Sequence, residues 1–149
     1  MINYTKNEKE CERIKTENNI LLKEFTSWLQ TTNLKNKTVD QHVTNVTFYI
    51  NEFLLYEYPE NAKEGTKKIS FFLGYWFIRK TMWASEDAIK NNAVSLKKFY
   101  TFLYTRGDIQ QEHLDSFKQT IKERLPNWVD SLTRYNAPTT IDIEEGLGI

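Results

Sequence analysis

Few residues of this 149-residue chain are of the types that carry out covalent chemistry or bind metals. It has one cysteine, Cys11, and two histidines, His42 and His113. A lone thiol can form no internal disulfide and has no second thiol with which to share a metal ion, so Cys11 is expected to be a surface or half-buried thiol. Protein metal sites normally take three or four donors. The histidines are therefore expected to be ordinary surface or boundary residues, and the sequence predicts no metal and no cofactor.

Catalytic motifs are also missing from the sequence. It contains no glycine-rich phosphate loop and no nucleophile elbow. Tyr135 follows Arg134 and is the one tyrosine that suggests a nucleophile, but a phosphoryl-transfer site needs several positioned cations, which no motif places there. The chain is predicted not to be an enzyme.

The charges are balanced overall but unevenly distributed. Twenty cations match 20 acids, so the whole surface has no net attraction for phosphates. Residues 18–110 carry twelve cations against nine acids, and residues 65–110 alone carry eight against three. From residue 111 onward there are four cations and seven acids. The middle of the chain is its positive part.

Length and composition indicate one folded domain. Hydrophobic residues make up 40% of the chain and aromatic residues 14%, which is a globular composition. The longest apolar run, residues 71–78, is far shorter than the roughly 20 residues of a membrane span. The charged N-terminus has no apolar segment behind it and does not resemble a secretory signal. We expect a cytoplasmic protein with no membrane contact.

The spacing of the apolar residues is helical throughout. In residues 37–54 they lie three and four positions apart, on one stripe of a helix, and the alternation of a strand is absent. Thr38 is predicted to cap this helix, and Pro126 to separate two short ones near the end. The predicted helices cover residues 18–30, 39–57, 69–82, 86–104, 110–124 and 127–135. Around them we expect a charged, helical extension (1–17), a helical domain (18–136) and an acidic, extended tail (137–149).

Two of these helices repeat one pattern fifty residues apart. The apolar positions of residues 37–54 coincide with those of residues 87–103, as in the pairs Val46 and Leu96, and Ile50 and Tyr100. Two matching stripes predict two helical hairpins around one core, although any two amphipathic helices could overlay in this way. The predicted fold is an all-α compact bundle. Its predicted core is Phe25, Trp28, Leu29, Val43, Val46, Ile50, Phe53, Phe72, Trp76, Ala93, Leu96, Phe99, Tyr100 and Leu103.

Three motifs resemble a known family. FTSWL (25–29), NLKNKTVDQHV (33–43) and FYTFLYTRGDI (99–109) occur in the order found in the N-terminal SAM-like, or core-binding, domain of tyrosine recombinases and phage integrases. The resemblance covers about residues 18–112, and the last motif is the most specific. The Asn-Pro that commonly follows the final turn in that family is replaced here by QQEHLD. No H-x-x-R element of the family's catalytic domain is present.

The resemblance implies binding of double-stranded DNA, as in site-specific DNA recombination and integration. In the family, the helices equivalent to 39–57 and 86–104 face the major groove. The residues that it places there are Lys35, Lys37, Thr38, Gln41, Asn45, Lys90, Asn91, Lys97 and Lys98. Lysines suit phosphates, whereas Gln and Asn can pair with base edges. Lys90 and Lys97, seven residues apart, lie on one side of a helix about 10 Å apart.

Two interpretations of different kinds remain open. The first is a non-catalytic DNA-binding module that acts with weak, salt-dependent affinity, alone or beside a catalytic recombinase domain. The second is a helical protein-interaction module that keeps the fold without the nucleic-acid role, favoured by the neutral charge and the acidic tail. At the level of single residues, the same lysines and amides could form an ordinary solvated helix face.

Overall fold

The computed structural model describes the chain over residues 4–137, with side chains from residue 7, and all regular structure in this part is helical. The prediction of an all-α bundle is confirmed. The α-helices are α1 (Tyr4–Gln30), α2 (Asn36–Thr47), α3 (Ile69–Phe71), α4 (Phe77–Lys80), α5 (Glu86–Arg106) and α6 (Gln111–Asn136). Two π-helical segments, Phe48–Phe53 and Phe72–Trp76, extend α2 and join α3 to α4, and a 3₁₀ helix covers Ala62–Lys67. Helix α5 packs against α1, α2 and α6.

The predicted core is part of a larger observed core. Of its fourteen members, only Trp28 and Val43 are partly buried, and both pack against the buried cluster. The matched stripes are buried together, since Val46 and Leu96 are both fully inaccessible to solvent. The repeat in the sequence therefore corresponds to two helices, α2 and α5, that pack against each other with equivalent faces.

The two π-helical segments pack against each other through aromatic rings. Phe72 lies 4.8 Å from both Tyr49 and Phe53, measured between ring centroids. Trp76 lies 5.2 Å from Phe53 in an edge-to-face arrangement. Each such pair contributes about 0.5–1.5 kcal/mol beyond the burial of its area. These contacts hold the segment that joins α3 to α4 against the π-helical extension of α2.

Two buried tyrosines hold the 3₁₀ helix. The hydroxyl of Tyr49 donates to the carbonyl of Gly65 at 2.6 Å, and that of Tyr100 donates to the carbonyl of Ala62 at 2.7 Å. Burial raises the pKa of both phenols well above the usual range. Gly65 leaves room for this arrangement, because a Cβ atom there would lie 2.2 Å from the Tyr100 hydroxyl.

Three residues fix local packing and the two ends of α5. Gly74 allows close packing, because a Cβ atom there would lie 2.7 Å from Cδ1 of Trp128 on α6. The Ser85 hydroxyl caps α5 by accepting from the amide of Ala88 at 3.0 Å. Gly107 ends α5 in the left-handed conformation, with φ of 86°.

The predicted boundaries are wrong at two places in the middle and end of the chain. Helix α2 begins at Asn36, so Lys35 occupies the cap position without a side-chain cap, and Thr38 lies inside the helix. Helix α6 runs unbroken through Pro126. Both halves of α6 bury apolar side chains, including Phe117 before the proline and Trp128 after it. Burial of about 1.5–3 kcal/mol for each large side chain offsets the roughly 3 kcal/mol cost of an internal proline.

The first helix is continuous with the extension before it, and one tryptophan is not in the core. The extension is helical from Tyr4, as predicted, but α1 runs through residue 18 without a boundary, with Ile14 and Asn18 buried along it. Arg13 pairs with Glu10 and Glu17 on its exposed side. Trp83, which follows α4, is 60% exposed. Cys11 is partly buried, as expected, and nearly all of the predicted acidic tail lies outside the described residues.

Candidate nucleic-acid interface

A groove between α5 and α6 brings lysines of both helices together. It is lined by Trp28, Val94, Lys97, Lys98, Thr101, Lys118, Ile121, Lys122 and Leu125, and it encloses about 670 Å³. We call it the lysine groove. Its floor is apolar because Ile121 and the partly buried Trp28 and Leu125 belong to or pack against the core. Its rims are cationic because Lys97 and Lys98 leave α5 on one side, and Lys118 and Lys122 leave α6 one turn apart on the other.

The four lysines of the groove are free to bind an anion. No acidic residue lines the groove, and within residues 4–137 none of the four makes a salt bridge. Like charges in a depression with low-dielectric walls reinforce one another's field and attract counter-charges. The apolar floor supports the long methylene stems of the side chains while the ammonium groups stay in water. The groove therefore has the charge to attract an anion such as a phosphate or a carboxylate.

On its α2 side, helix α5 is joined to α2 by a buried polar cluster. Ser95 Oγ lies 2.7 Å from His42 Nδ1 and accepts a hydrogen bond from Asn45 Nδ2 at 3.0 Å. Asn45 Nδ2 can only donate, so Ser95 Oγ accepts from it, and the second lone pair and the proton of the serine hydroxyl allow it to accept from His42 Nδ1 or to donate to it. Burial, and to a smaller extent the charge of Lys98, lower the pKa of His42. His42 is thus a buried structural residue, whereas the sequence predicted a surface or boundary histidine.

The remaining predicted contact residues lie outside the lysine groove. Lys35, Lys37, Gln41 and Asn91 are exposed, and Thr38 is partly buried. Lys90 pairs with Glu86 at 2.9 Å, and this hydrogen bond raises the pKa of the lysine. Lys35 and Lys37 stand at the uncapped start of α2, where the free backbone N–H groups and the helix dipole favour an anion.

Three residues of the groove were missed by the sequence prediction. Lys118 and Lys122 belong to a part of the chain whose balance of charge is negative, and Trp28 was assigned to the core. Three of the seven acids in that part are Asp142, Glu144 and Glu145, beyond the described residues, so residues 111–137 are neutral. The signal in the sequence was the spacing of four between the two lysines, which places them on one side of a helix.

No metal centre is assembled in the part of the chain that the structure describes. Residues 4–137 contain no group of three His, Cys, Asp or Glu side chains able to hold a metal ion. The Arg79 guanidinium lies 5.1 Å from the ring centroid of Tyr135, over its face, and stacks more closely on Tyr75. No helix in the same part has the length and apolar character needed to cross a membrane.

Comparison with known proteins leaves the chain without an assigned family. Neither the protein-family models nor the curated proteins nor the solved structures give a match to it. Its likeness to the core-binding domain of tyrosine recombinases therefore depends on the three motifs alone.

Proposed function

We propose that this protein is a non-catalytic module that binds double-stranded DNA, of the type found as the core-binding domain of tyrosine recombinases. The observation that carries the proposal is the lysine groove. Four cations from two helices converge there, and none is neutralised by an acid within residues 4–137. The flexible ammonium groups suit the phosphates of a duplex, which lie along its backbone irrespective of sequence.

The exposed face of α5 is the centre of the proposed interface. Lys97 and Lys98 project from it beside the groove, and Asn91 lies one to two turns earlier. On the α2 side, Gln41 is free to contact a base edge. Lys35 and Lys37 add phosphate contacts at the start of α2. Such lysine contacts, without arginine forks, give micromolar or weaker affinity at physiological salt, about 10⁻⁴–10⁻⁶ M.

The proposal is tested by titrating a fluorescent duplex with the protein at several salt concentrations. Six phosphate contacts, from the four groove lysines with Lys35 and Lys37, predict that log K falls against log salt with a slope of about −5. The double changes Lys97→Glu with Lys98→Glu, and Lys118→Glu with Lys122→Glu, should each weaken binding at low salt and flatten the slope by about two. The loss should be similar for all duplex sequences, because phosphate contacts position the protein without reading bases.

The matched control reverses two lysines elsewhere. Lys63 and Lys67 are exposed on the 3₁₀ helix and make no salt bridge within the described residues. Changing both to Glu alters the net charge by the same amount as either groove pair. An equal loss of affinity in this control, or no salt-dependent binding by the unchanged protein at about 50 mM salt, would contradict the proposed interface.

A second candidate function is a helical protein-interaction module. One observation favours it, a surface of half-exposed aromatic rings around a cation. Phe71, Tyr75 and Tyr135 are each about half exposed, and Arg79 stacks on the two tyrosines. Exposed aromatic and arginine side chains of this kind are typical of protein interfaces. The partner would present an apolar side chain beside a carboxylate, and Arg79→Glu would abolish its binding while leaving the DNA titration unchanged.

A further inference from the structure

The lysine groove has an apolar floor that the phosphates of a duplex would leave uncovered. Trp28 and Leu125 are only partly buried there, and Val94 is 40% exposed. An occupant that matches the whole groove has carboxylates for the rims and aliphatic side chains for the floor. Burial of apolar area and pairing of charge would then act together.

The chain itself contains a segment of this chemistry. Residues 141–145 read IDIEE, in which two isoleucines are interspersed with three acids. The three acids, Asp142, Glu144 and Glu145, nearly equal in number the four lysines of the groove. Charge and apolar character are therefore complementary between this segment and the groove.

The segment is also long enough to reach the groove of its own molecule. Helix α6 ends at Asn136, and Lys122 lies fourteen residues before it, about 21 Å back along the helix at 1.5 Å per residue. Lys118 lies about 27 Å back on the same basis. A chain that spans at most about 3.3 Å per residue carries Asp142 about 20 Å from Asn136 and Glu145 about 30 Å. In a nearly fully extended chain, Glu144 can thus reach Lys122 and Glu145 can reach Lys118.

We infer that residues 141–145 bind in the lysine groove of the same molecule. Their carboxylates pair with the lysines of α5 and α6, and their isoleucines cover Trp28 and Leu125. A tether that must be nearly fully extended gives an effective concentration below the roughly millimolar value of a well-matched short linker, so the charge pairs and the apolar contacts must act together. The docking does not require DNA binding. Its consequence, that the segment competes with phosphates for the same lysines, rests on the function proposed above.

The docking is tested by attaching a nitroxide label to the full chain. Cys11 is the single native cysteine, so Gly146→Cys in a Cys11→Ser or Cys11→Ala background gives one labelling position. The label should broaden the amide NMR signals of residues 97–101 and 118–122 at low salt. High salt, or the double change Lys118→Glu with Lys122→Glu, should remove the broadening. Absence of broadening in the groove at low salt, or broadening at Tyr75 and Arg79 instead, would overturn the inference.

A mixed sample separates binding within one molecule from binding between two. Labelled protein without isotope is added to isotope-enriched protein without label, so that only contacts between molecules broaden the signals. We expect no broadening of the groove signals in this sample. Broadening equal to that in the sample whose molecules carry both label and isotope would mean that the segment occupies the groove of a second copy. The inference would then be wrong.

The competition with DNA is tested by neutralising the acids. Asp142→Asn, Glu144→Gln and Glu145→Gln together should tighten duplex binding about fivefold or more, within the usual range of coupling between two sites. The control Glu8→Gln, Glu12→Gln and Glu57→Gln removes three acids from a separate groove near Tyr58, with the same change in net charge. Broadening of the groove signals without DNA binding would support the docking and contradict the proposed function. DNA binding without broadening would support the proposed function and contradict the docking.

Discussion

The Nδ1 atom of His42 and the Oγ atom of Ser95 lie 2.7 Å apart in the interface between α2 and α5. Asn45 Nδ2 donates to the same serine oxygen at 3.0 Å. The two helices of the repeated pattern are therefore joined by a polar cluster that includes a titratable histidine.

Stability should fall as the pH is lowered below about 6.5, the ordinary pKa of histidine. Burial lowers the pKa of His42 in the folded protein, so between the two pKa values the unfolded chain binds the proton more readily. The stability that depends on neutral His42 is fully present above about pH 6.5 and is lost as the pH falls toward the pKa of His42 in the folded protein. Urea unfolding at a series of pH values should show a slope that His42→Gln reduces. His113→Gln, which removes an exposed imidazole, is the matched control. An unchanged slope in His42→Gln would contradict this role.

Gly65→Ala should destabilise the protein by about 1–3 kcal/mol, as for other forced contacts in a packed interior. The new methyl group would displace the Tyr100 hydroxyl from the Ala62 carbonyl. Tyr100→Phe should also be destabilising, because it leaves the carbonyl without its donor. Since both changes act on the same hydroxyl, the double variant should lose less than the sum of the two losses in chemical unfolding. Strict additivity would show that the two sites are independent.

Leu96→Ala or Phe99→Ala should each lower the free energy of unfolding by roughly 2–5 kcal/mol. Both side chains are fully inaccessible to solvent, so each truncation loses burial and leaves a cavity. Val94→Ala, on the same helix but 40% exposed, should cost much less. A comparable loss for all three variants, measured by denaturant unfolding, would be inconsistent with the observed core.

Gln41 and Asn45 should behave differently in DNA binding. The exposed Gln41 is free to contact a base edge, so Gln41→Ala should change the preference among duplex sequences more than the mean affinity. The amide of Asn45 is engaged by Ser95, so Asn45→Ala should lower stability. A panel of duplexes and a thermal unfolding curve for each variant separate the two effects. Equal affinities across the panel before and after Gln41→Ala would argue against base contact.

The protein should not cleave DNA strands. Phosphoryl transfer through a tyrosine needs several cations around the attacked phosphate. Arg79 covers the face of the Tyr135 ring and also donates to the carbonyl of Tyr75. Incubation with a nicked duplex followed by denaturing electrophoresis should show no covalent adduct. An adduct that disappears in Tyr135→Phe would prove this prediction wrong.

The sequence by itself determined the helices and most of the core. Apolar residues three and four positions apart define one side of a helix whatever its neighbours are, so the stripes containing Val46 and Leu96 predicted both their helices and their burial. The cap at Ser85 and the stop at Gly107 were likewise local, since each depends on the backbone of a few adjacent residues.

Only the tertiary structure decided which polar residues share a surface. Lys98 and Lys122 line opposite sides of one groove because α5 packs against α6. The spacing of residues within one helix does not tell how that helix is rotated against another. The burial of His42 beside Ser95 depends in the same way on the packing of α2 against α5. Pro126, a local signal for a break, was overridden because burial on both sides of it stabilises a continuous helix by more than the missing hydrogen bond costs.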